Sequence, residues 1–360
     1  MILHNIRISA RAAGLCMGKK GESSMERKAA SVRIKEVARE SGVSQSTASI
    51  VLNGHGDKMR ISKATQEKVW NAARDLNYRP RHCTETESGI RRRVGIFWND
   101  KLVDDTMGRF FYGISQGIEK NAYSVELMVQ LYHEGALADQ KDLLSSGRYE
   151  GVIISAPSDE DVAALDQMEL DIPVVLANRS STRYSCVYVD NVEVGRHCAD
   201  LFASRGYRSV GIIGSAKDSG PSVRRFGFLQ ECKRQGIEFR REWIQETEDY
   251  HISGGYQCAQ RILECEELPS GLFVLTDTHA IGVMIALKER GIEIPGQMKL
   301  LAYGNNDVFE VMSPRIASVD ISREVLAEHT LALLMTKLEN GIQDPISRVE
   351  IPEYKLKGSF

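Results

Sequence analysis

Residues 32–80 constrain this chain more than any other stretch, because their apolar spacing dictates three short helices joined by tight turns. Ile34, Val37 and Ala38 fall on one face of a first helix, and Val51 and Leu52 close a second, with Gly42 at the bend between them. That is helix-turn-helix spacing, with the small Ala38 where two helices cross closely and Ser44 placed to cap the second helix. A third helix begins near Ser62, carries Val69, Ala72, Ala73 and Leu76 at helical spacing, and stops before Pro80. The second helix then presents Gln45, Ser46, Thr47, Ser49 and Ile50 outward, where they can reach base edges or phosphates in a major groove.

A plain three-helix bundle shares this apolar spacing, and charge separates the two readings. Residues 32–81 hold ten Lys and Arg against five Asp and Glu, whereas residues 94–360 hold 27 against 40. A basic head on an acidic body is the electrostatic footprint of a DNA-binding module joined to something else. Gln45 is the better hydrogen-bond reader of a base, and Ile50 suits a thymine methyl. Thr47, Lys58 and Arg60 suit phosphates, which position a head without specifying sequence.

At 360 residues the chain has the length of two to three domains. No apolar run approaches the roughly 20 residues of a membrane-spanning helix, so no membrane partner is expected. The seven cysteines are scattered and form no Cys-x-x-Cys pair, a pattern that fits reduced cytosolic thiols and offers no metal cage. With no Gly-rich phosphate loop and no His-rich ligand set, no cofactor is implied. Residues 1–31 lack a secretory apolar segment and read as a disordered tail, or as sequence ahead of a true start at Met25.

From Val94 onward short apolar strands alternate with amphipathic helices, the signature of βαβ units. Strands over 94–98, 125–130, 151–155, 173–177 and 186–189 would build one doubly wound parallel sheet, and strands over 210–214, 272–275 and 299–303 a second. The expected fold is a small all-α headpiece (32–80), a hinge linker (81–93) and an α/β two-lobed body (94–345), with 346–360 as a C-terminal tail. The chain should cross between lobes near 204–207 and return near 316–322, and a helix over 324–340 should pack across both. Doubly wound sheets bind ligands at the carboxyl ends of their strands. Candidates there are Asn99, Asp100, Ser155, Asp190 and Asp277 as groups that hydrogen-bond hydroxyls, with Trp98, Phe110 and Phe111 as a stacking face.

One enzymatic signature competes. Gly113-Ile-Ser-Gln-Gly117 matches the Gly-x-Ser-x-Gly pattern of a hydrolase nucleophile. Such a serine needs a strand-to-helix turn, whereas Ser115 falls inside a helix whose apolar face is Phe111, Ile114 and Ile118. The chain therefore reads as a non-enzyme.

Taken in order, Ile34-x-x-Val-Ala38, Gly42-Val-Ser44, Val51-Leu-Asn53, Ser62-x-x-Thr65 and Leu76-Asn-Tyr-Arg-Pro80 resemble the headpiece of the LacI/GalR family of transcriptional repressors. A looser likeness continues to about Asn340. The resemblance implies a periplasmic-binding-protein-like body that clasps a small-molecule effector, and a homodimer on a pseudo-palindromic operator, with Asn53 and Arg81 among the DNA contacts. It also implies an effector contact for Arg224, which opens Arg224-Arg-Phe-Gly-Phe228, and points to the Asp190-Asn191 pair.

Two segments depart from the family pattern. Where most members carry paired acids after the strand ending at Tyr303, this chain has Gly304-Asn-Asn306, which removes a carboxylate often used on sugar hydroxyls. A sugar or related metabolite is expected as effector, with a modified sugar or a non-sugar open. In the hinge, which in the family folds on DNA and inserts a leucine, Glu87 stands at the inserted position and Glu85 is close by. Carboxylates held against phosphates cost binding energy. A ligand-binding sensor whose head no longer reads DNA is thus the alternative.

Overall fold

The computed structural model describes residues 6–8, 34–52, 56, 59–76, 91–102, 105–215 and 219–360. It forms two compact units, one over Ile8–Arg92 and Ser124–Glu126, which holds the head, and the body over Met1–Arg7, Arg93–Tyr123 and Leu127–Phe360.

In the head, helices Ile34–Ser41, Gln45–Leu52 and Lys63–Asp75 enclose one small core of Val37, Ala38, Ala48, Val51, Leu52, Val69, Ala72 and Ala73. The turn between the first two helices follows from local chemistry. Gly42 takes a left-handed conformation with φ 68°, its N–H donates to the Arg39 carbonyl, and the Val43 N–H donates to that of Ala38. This pair of bonds closes the first helix in a Schellman motif that favours glycine at the left-handed position. Ser44 then caps the second helix, its Oγ accepting from the Thr47 N–H at 3.0 Å.

The body holds two sheets. The first runs, edge to edge, Ile6–Ile8, Val125–Tyr132, Arg92–Asn99, Gly151–Ser155, Val174–Ala177, Ser185–Val189 and Ser347–Glu350. The second runs Glu353–Lys355, Ala317–Asp320, Lys299–Tyr303, Gly271–Val274, Val210–Ser215 and Ile244–Thr247. The pairing is parallel from Arg92–Asn99 through Ser347–Glu350 in the first sheet. In the second it is parallel except for Glu353–Lys355, which lies antiparallel on Ala317–Asp320.

Three expectations about the body change. Helix Asn191–Ser204 belongs to the second lobe, because Val194, Cys198, Ala199 and Phe202 share a core with Val210, Ile212 and Phe273. The first crossing therefore lies at Asp190, between strand and helix, and not near 204–207. Helix Arg323–Asn340 does not straddle the lobes. It packs on the first lobe, against helix Asp105–Asn121 and strands Gly151–Ser155, Val174–Ala177 and Ser185–Val189. Residues 346–360 are no tail, since Ser347–Glu350 extends the first sheet and Glu353–Lys355 the second, giving a third crossing at Ile351-Pro352. Ser359 seals this end, its Oγ accepting from the Ala317 N–H and donating to the Leu300 carbonyl, both at 2.7 Å.

The Gly-x-Ser-x-Gly stretch has a packing role. A Cβ on Gly113 would strike the backbone of Glu324, and one on Gly117 would press on Glu328, so these two glycines form the contact stripe for helix Arg323–Asn340. Ser115 is exposed on the other side of its helix, with no strand-to-helix turn around it. A second glycine contact governs the second lobe, where helices Asn191–Ser204 and Ser219–Gln235 meet backbone to backbone at Gly195 and Gly227.

Candidate functional site

On the head, Ser44, Gln45 and Ser46 are exposed at the start of the second helix, and Thr47, Ser49 and Ile50 are half-buried. The outward face is thus narrower than the helical spacing suggests. Arg60 is exposed and left-handed, with φ 55°, in the turn before the third helix. Asn53, Lys58 and Arg81, together with the acidic hinge segment, lie outside the described residues.

In the body, a cleft opens where the carboxyl ends of both sheets face each other. The first lobe contributes Trp98, Phe110, Ser155 and Asn178, and the second contributes Arg224, Leu275, Asp277 and Tyr303. Ile321, Arg323 and Leu326 line it from the second crossing and the helix that follows. Trp98, Phe110, Ser155, Arg224 and Asp277 are therefore brought together as expected. Asn99, Asp100, Phe111 and Asp190 are not among the lining residues. Local structure explains why. The Asn99 Oδ1 accepts from the Lys101 N–H, Asp100 pairs with His133, and Phe111 packs behind Trp98 and Phe110. The Asp190 Oδ1 caps the helix after it, accepting from the N–H groups of Val192 and Glu193. Its neighbour Asn191 lines the cleft instead.

The aromatic wall is fixed from behind. Trp98 and Phe110 meet with centroids 5.1 Å apart, and the Trp98 indole N–H donates to the Leu102 carbonyl at 2.9 Å. Arg224, 4% exposed, lies 3.3 Å from the Tyr303 ring centroid. It donates to the Leu275 carbonyl at 2.9 Å and to the Asn191 Oδ1. One side chain so joins the first crossing to two strand ends of the second lobe.

Two further features mark this cleft as a place for a ligand. Among the described residues, the Tyr303 hydroxyl and the Asn178 Oδ1 are buried without a hydrogen-bond partner, and both residues line the cleft. Buried polar atoms are nearly always satisfied, so these two are open to a hydrogen bond from water or a ligand. Ala156 and Asn178, each at the end of a first-lobe strand, are left-handed at φ 44° and 59°. Non-glycine residues there are strained, and such strain gathers at functional sites.

Sequence reasoning did not find Arg323. Its Nη1 donates to the Asp277 Oδ2 at 2.8 Å, pairing a residue of the helix on the first lobe with one of the second. Asp277 lies against Gly304, the first residue of the segment that departs from the family pattern. Gly304 is left-handed at φ 95°, and a Cβ on it would lie 2.9 Å from the Asp277 carboxyl. Nearby, Arg109 of the first lobe forks onto Glu324 at 2.6 and 3.0 Å and donates to the Asn305 carbonyl of the second lobe.

Burial pushes the Asp277 carboxyl up, but the Arg323 charge and hydrogen bond, with the Thr278 N–H and the Arg109 charge, outweigh it and hold the group below its usual 3.8. A carboxyl with a lower pKa folded than unfolded stabilises the fold above the unfolded value, and that contribution is lost as pH falls through the folded value. Asp277→Asn should therefore flatten the decline of stability below pH 3.8, read from urea midpoints against pH. Parallel wild-type and variant profiles would refute this assignment.

Comparison with known proteins closes the case for the two parts. Residues 33–81 match the family described as bacterial regulatory proteins, lacI family, and residues 199–360 match a periplasmic binding protein-like domain. The HTH-type transcriptional repressor PurR of Vibrio atlanticus (strain LGP32) is 28% identical over 322 residues, covering 85% of this chain and 92% of that protein. Among solved structures, a LacI family transcription regulator from Clostridium acetobutylicum superposes with a TM-score of 0.69 at 26% identity, over 74% of this chain and 100% of that one. The lac repressor dimer bound to operator and the anti-inducer ONPF gives a TM-score of 0.73 at 19% identity, over 92% of this chain and 99% of that one. That second likeness shows the shared fold. No helix among the described residues is long and apolar enough to cross a membrane.

Proposed function

From a chain that belongs to the LacI family of transcriptional regulators, with a DNA-binding head and an effector-binding body, we infer a cytoplasmic, homodimeric repressor controlled by a small polar metabolite. Each head reads one half-site of a pseudo-palindromic operator. The observation that carries this reading is the cleft itself, lined from both lobes and from a segment that crosses between them. A ligand bound there touches both lobes, and so can favour one lobe arrangement over another. Affinity alone shifts nothing. The effector must bind the arrangements unequally.

The groups in the cleft suit a hydroxylated ring, stacked on Trp98 and Phe110 and hydrogen-bonded by Ser155, Asn178 and Asp277. A sugar or sugar derivative fits this set. A flat nucleobase is the second reading, favoured by the two aromatic rings of the wall, Trp98 and Phe110, on which it would stack. Fluorescence anisotropy of a labelled operator duplex tests both, with sugars, sugar phosphates and nucleobases added in turn. One class should change operator affinity, and Trp98→Ala should remove the change. Indifference to every class would overturn the effector reading.

The head makes its own prediction. Gln45→Ala should weaken operator binding by about 1–3 kcal/mol and relax preference at one base pair, whereas Arg60→Ala should weaken binding to all sequences and lower the salt slope by about one. Titrations over a set of single-base operator variants distinguish the two. Equal losses on every duplex for Gln45→Ala would reassign that residue to the backbone. Ser115→Ala should leave DNA and ligand binding unchanged, since that side chain faces solvent away from the cleft.

A further inference from the structure

We propose that His279 is a positioning residue of the effector cleft, whose Nε2–H holds the Asp249 carbonyl and so sets Tyr250 in place relative to Asp277, letting one ligand meet both groups. The proposal rests on the reading of the cleft as the effector site. Tyr250 and Asp277 both line it. They come from different strand ends of the second lobe, Tyr250 after strand Ile244–Thr247 and Asp277 after strand Gly271–Val274, and strand Val210–Ser215 lies between the two. Their separation is therefore not set by a shared ladder. Side chains set it instead. The Ser215 Oγ donates to the Tyr250 hydroxyl at 3.2 Å, and the His279 Nε2 donates to the Asp249 carbonyl at 2.7 Å.

The histidine is a poor choice for a residue that only fills the core. Helix Asp277–Glu289 brings Asp277 and Thr278 to the cleft, whereas His279 is 0% exposed, on a helix whose other buried side chains are mostly apolar. A carbonyl can only accept, so the ring proton is on Nε2 and Nδ1 carries a bare lone pair. Among the described residues that nitrogen has no hydrogen-bond partner. An apolar side chain would avoid the cost of burying it, and a local rule broken without a packing gain marks a functional position. Burial holds the imidazole below its usual 6.5, against the opposing pull of the Asp249 carbonyl and the Asp249 and Asp277 charges. The ring therefore stays neutral near neutral pH and keeps its single donor.

The backbone around this bond is shaped to hold it. A Cβ on Gly254 would lie 2.2 Å from the Asp249 carbonyl oxygen, and one on Gly255 would lie 2.2 Å from that of His279. Helix Ile252–Leu263 thus presses on both partners through two successive glycines. The turn that carries Tyr250 is itself tied. The Thr247 Oγ1 accepts from the Asp249 N–H at 3.0 Å, and the Asp249 carboxylate accepts from the His251 N–H at 2.9 Å and from the Ser253 hydroxyl at 2.6 Å. Such a turn moves as one piece, and His279 determines where that piece stands.

The test uses the full chain, with galactose, galactose 1-phosphate and adenine as calorimetric probes. Glutamine sets an amide N–H where Nε2 stands and asparagine sets one where Nδ1 stands, so the two variants differ in reach and hardly in polarity. Wild type should bind one probe, His279→Gln should keep most of that affinity, and His279→Asn should lose about tenfold, the size of one well-placed polar contact. Added to Tyr250→Ala, His279→Asn should cost little further affinity, because the coupling runs through that ring. A purely structural histidine would cost as much in either background. Amide exchange over residues 247–253 should quicken in His279→Asn. Unchanged exchange, equal affinities for the two His279 variants, or full additivity with Tyr250→Ala would overturn the proposal. Quickened exchange with no probe bound, and operator affinity unmoved by any of them, would uphold the placement of Tyr250 by His279 and overturn the effector reading.

Discussion

Arg224→Ala is expected to abolish the effector response and to destabilise the second lobe by about 3 kcal/mol, the scale of removing buried charge-assisted hydrogen bonds. The residue is 4% exposed. Its loss strands the Leu275 carbonyl at a strand end, frees Asn191 at the first crossing, and takes the cation from the Tyr303 ring. A desolvated stack of that kind adds about 2 kcal/mol. Because these partners line the cleft, the binding surface loses its shape as well as a donor. Arg224→Lys keeps the charge but cannot fork between two acceptors, so it should rescue stability in part and the ligand response hardly at all. Thermal shift with and without the effector class found by anisotropy reads both quantities at once. A wild-type response from Arg224→Ala would remove this residue from the site.

Gly195→Val should destabilise the body by about 3 kcal/mol or more, at the upper end of overpacking costs. A Cβ at this position would overlap the Arg224 carbonyl, and the reciprocal contact sets Gly227 against the Val192 carbonyl. Backbone cannot swing aside as a side chain can. Helices Asn191–Ser204 and Ser219–Gln235 would have to separate, prising Val194, Cys198 and Phe228 from their shared core. The same separation would displace Arg224, so ligand binding should fall with stability. Urea denaturation gives the first effect. Valine accepted at little cost would mean that the helices do not touch there.

The head was legible in the sequence because short-range signals set it. Val37, Ala38, Val51 and Val69 announce the core by spacing, Gly42 announces its turn, and Ser44 its cap. The body's first sheet was legible for a similar reason, since strands such as Gly151–Ser155 are buried on both faces and read as unbroken apolar runs. Ser347–Glu350 and Glu353–Lys355 were not, being short edge strands with mostly exposed side chains that alternate weakly. The first crossing was missed because helix Asn191–Ser204 is amphipathic in either lobe, and its spacing cannot say which sheet it covers.

The cleft was half legible. Strand ends located Ser155 and Asp277, but the same rule also drew in Asn99, Asp100 and Asp190, whose side chains serve turns, caps and surface pairs. Arg323 escaped because it precedes no strand end. It follows a crossing, and a cation immediately after such a segment is the signal that would have found it. Gly304-Asn-Asn306 read as a lost carboxylate, and the spacing could not say that the missing side chain of Gly304 makes room for Asp277.

The most direct test of the central claim, a sequence-reading head joined to a ligand-clasping body, is selection of the full chain against a randomised duplex library at two salt concentrations. The account predicts recovery of an inverted repeat whose half-site changes in Gln45→Ala and whose occupancy responds to the effector. Retention that falls steeply with salt but recovers no sequence would contradict it.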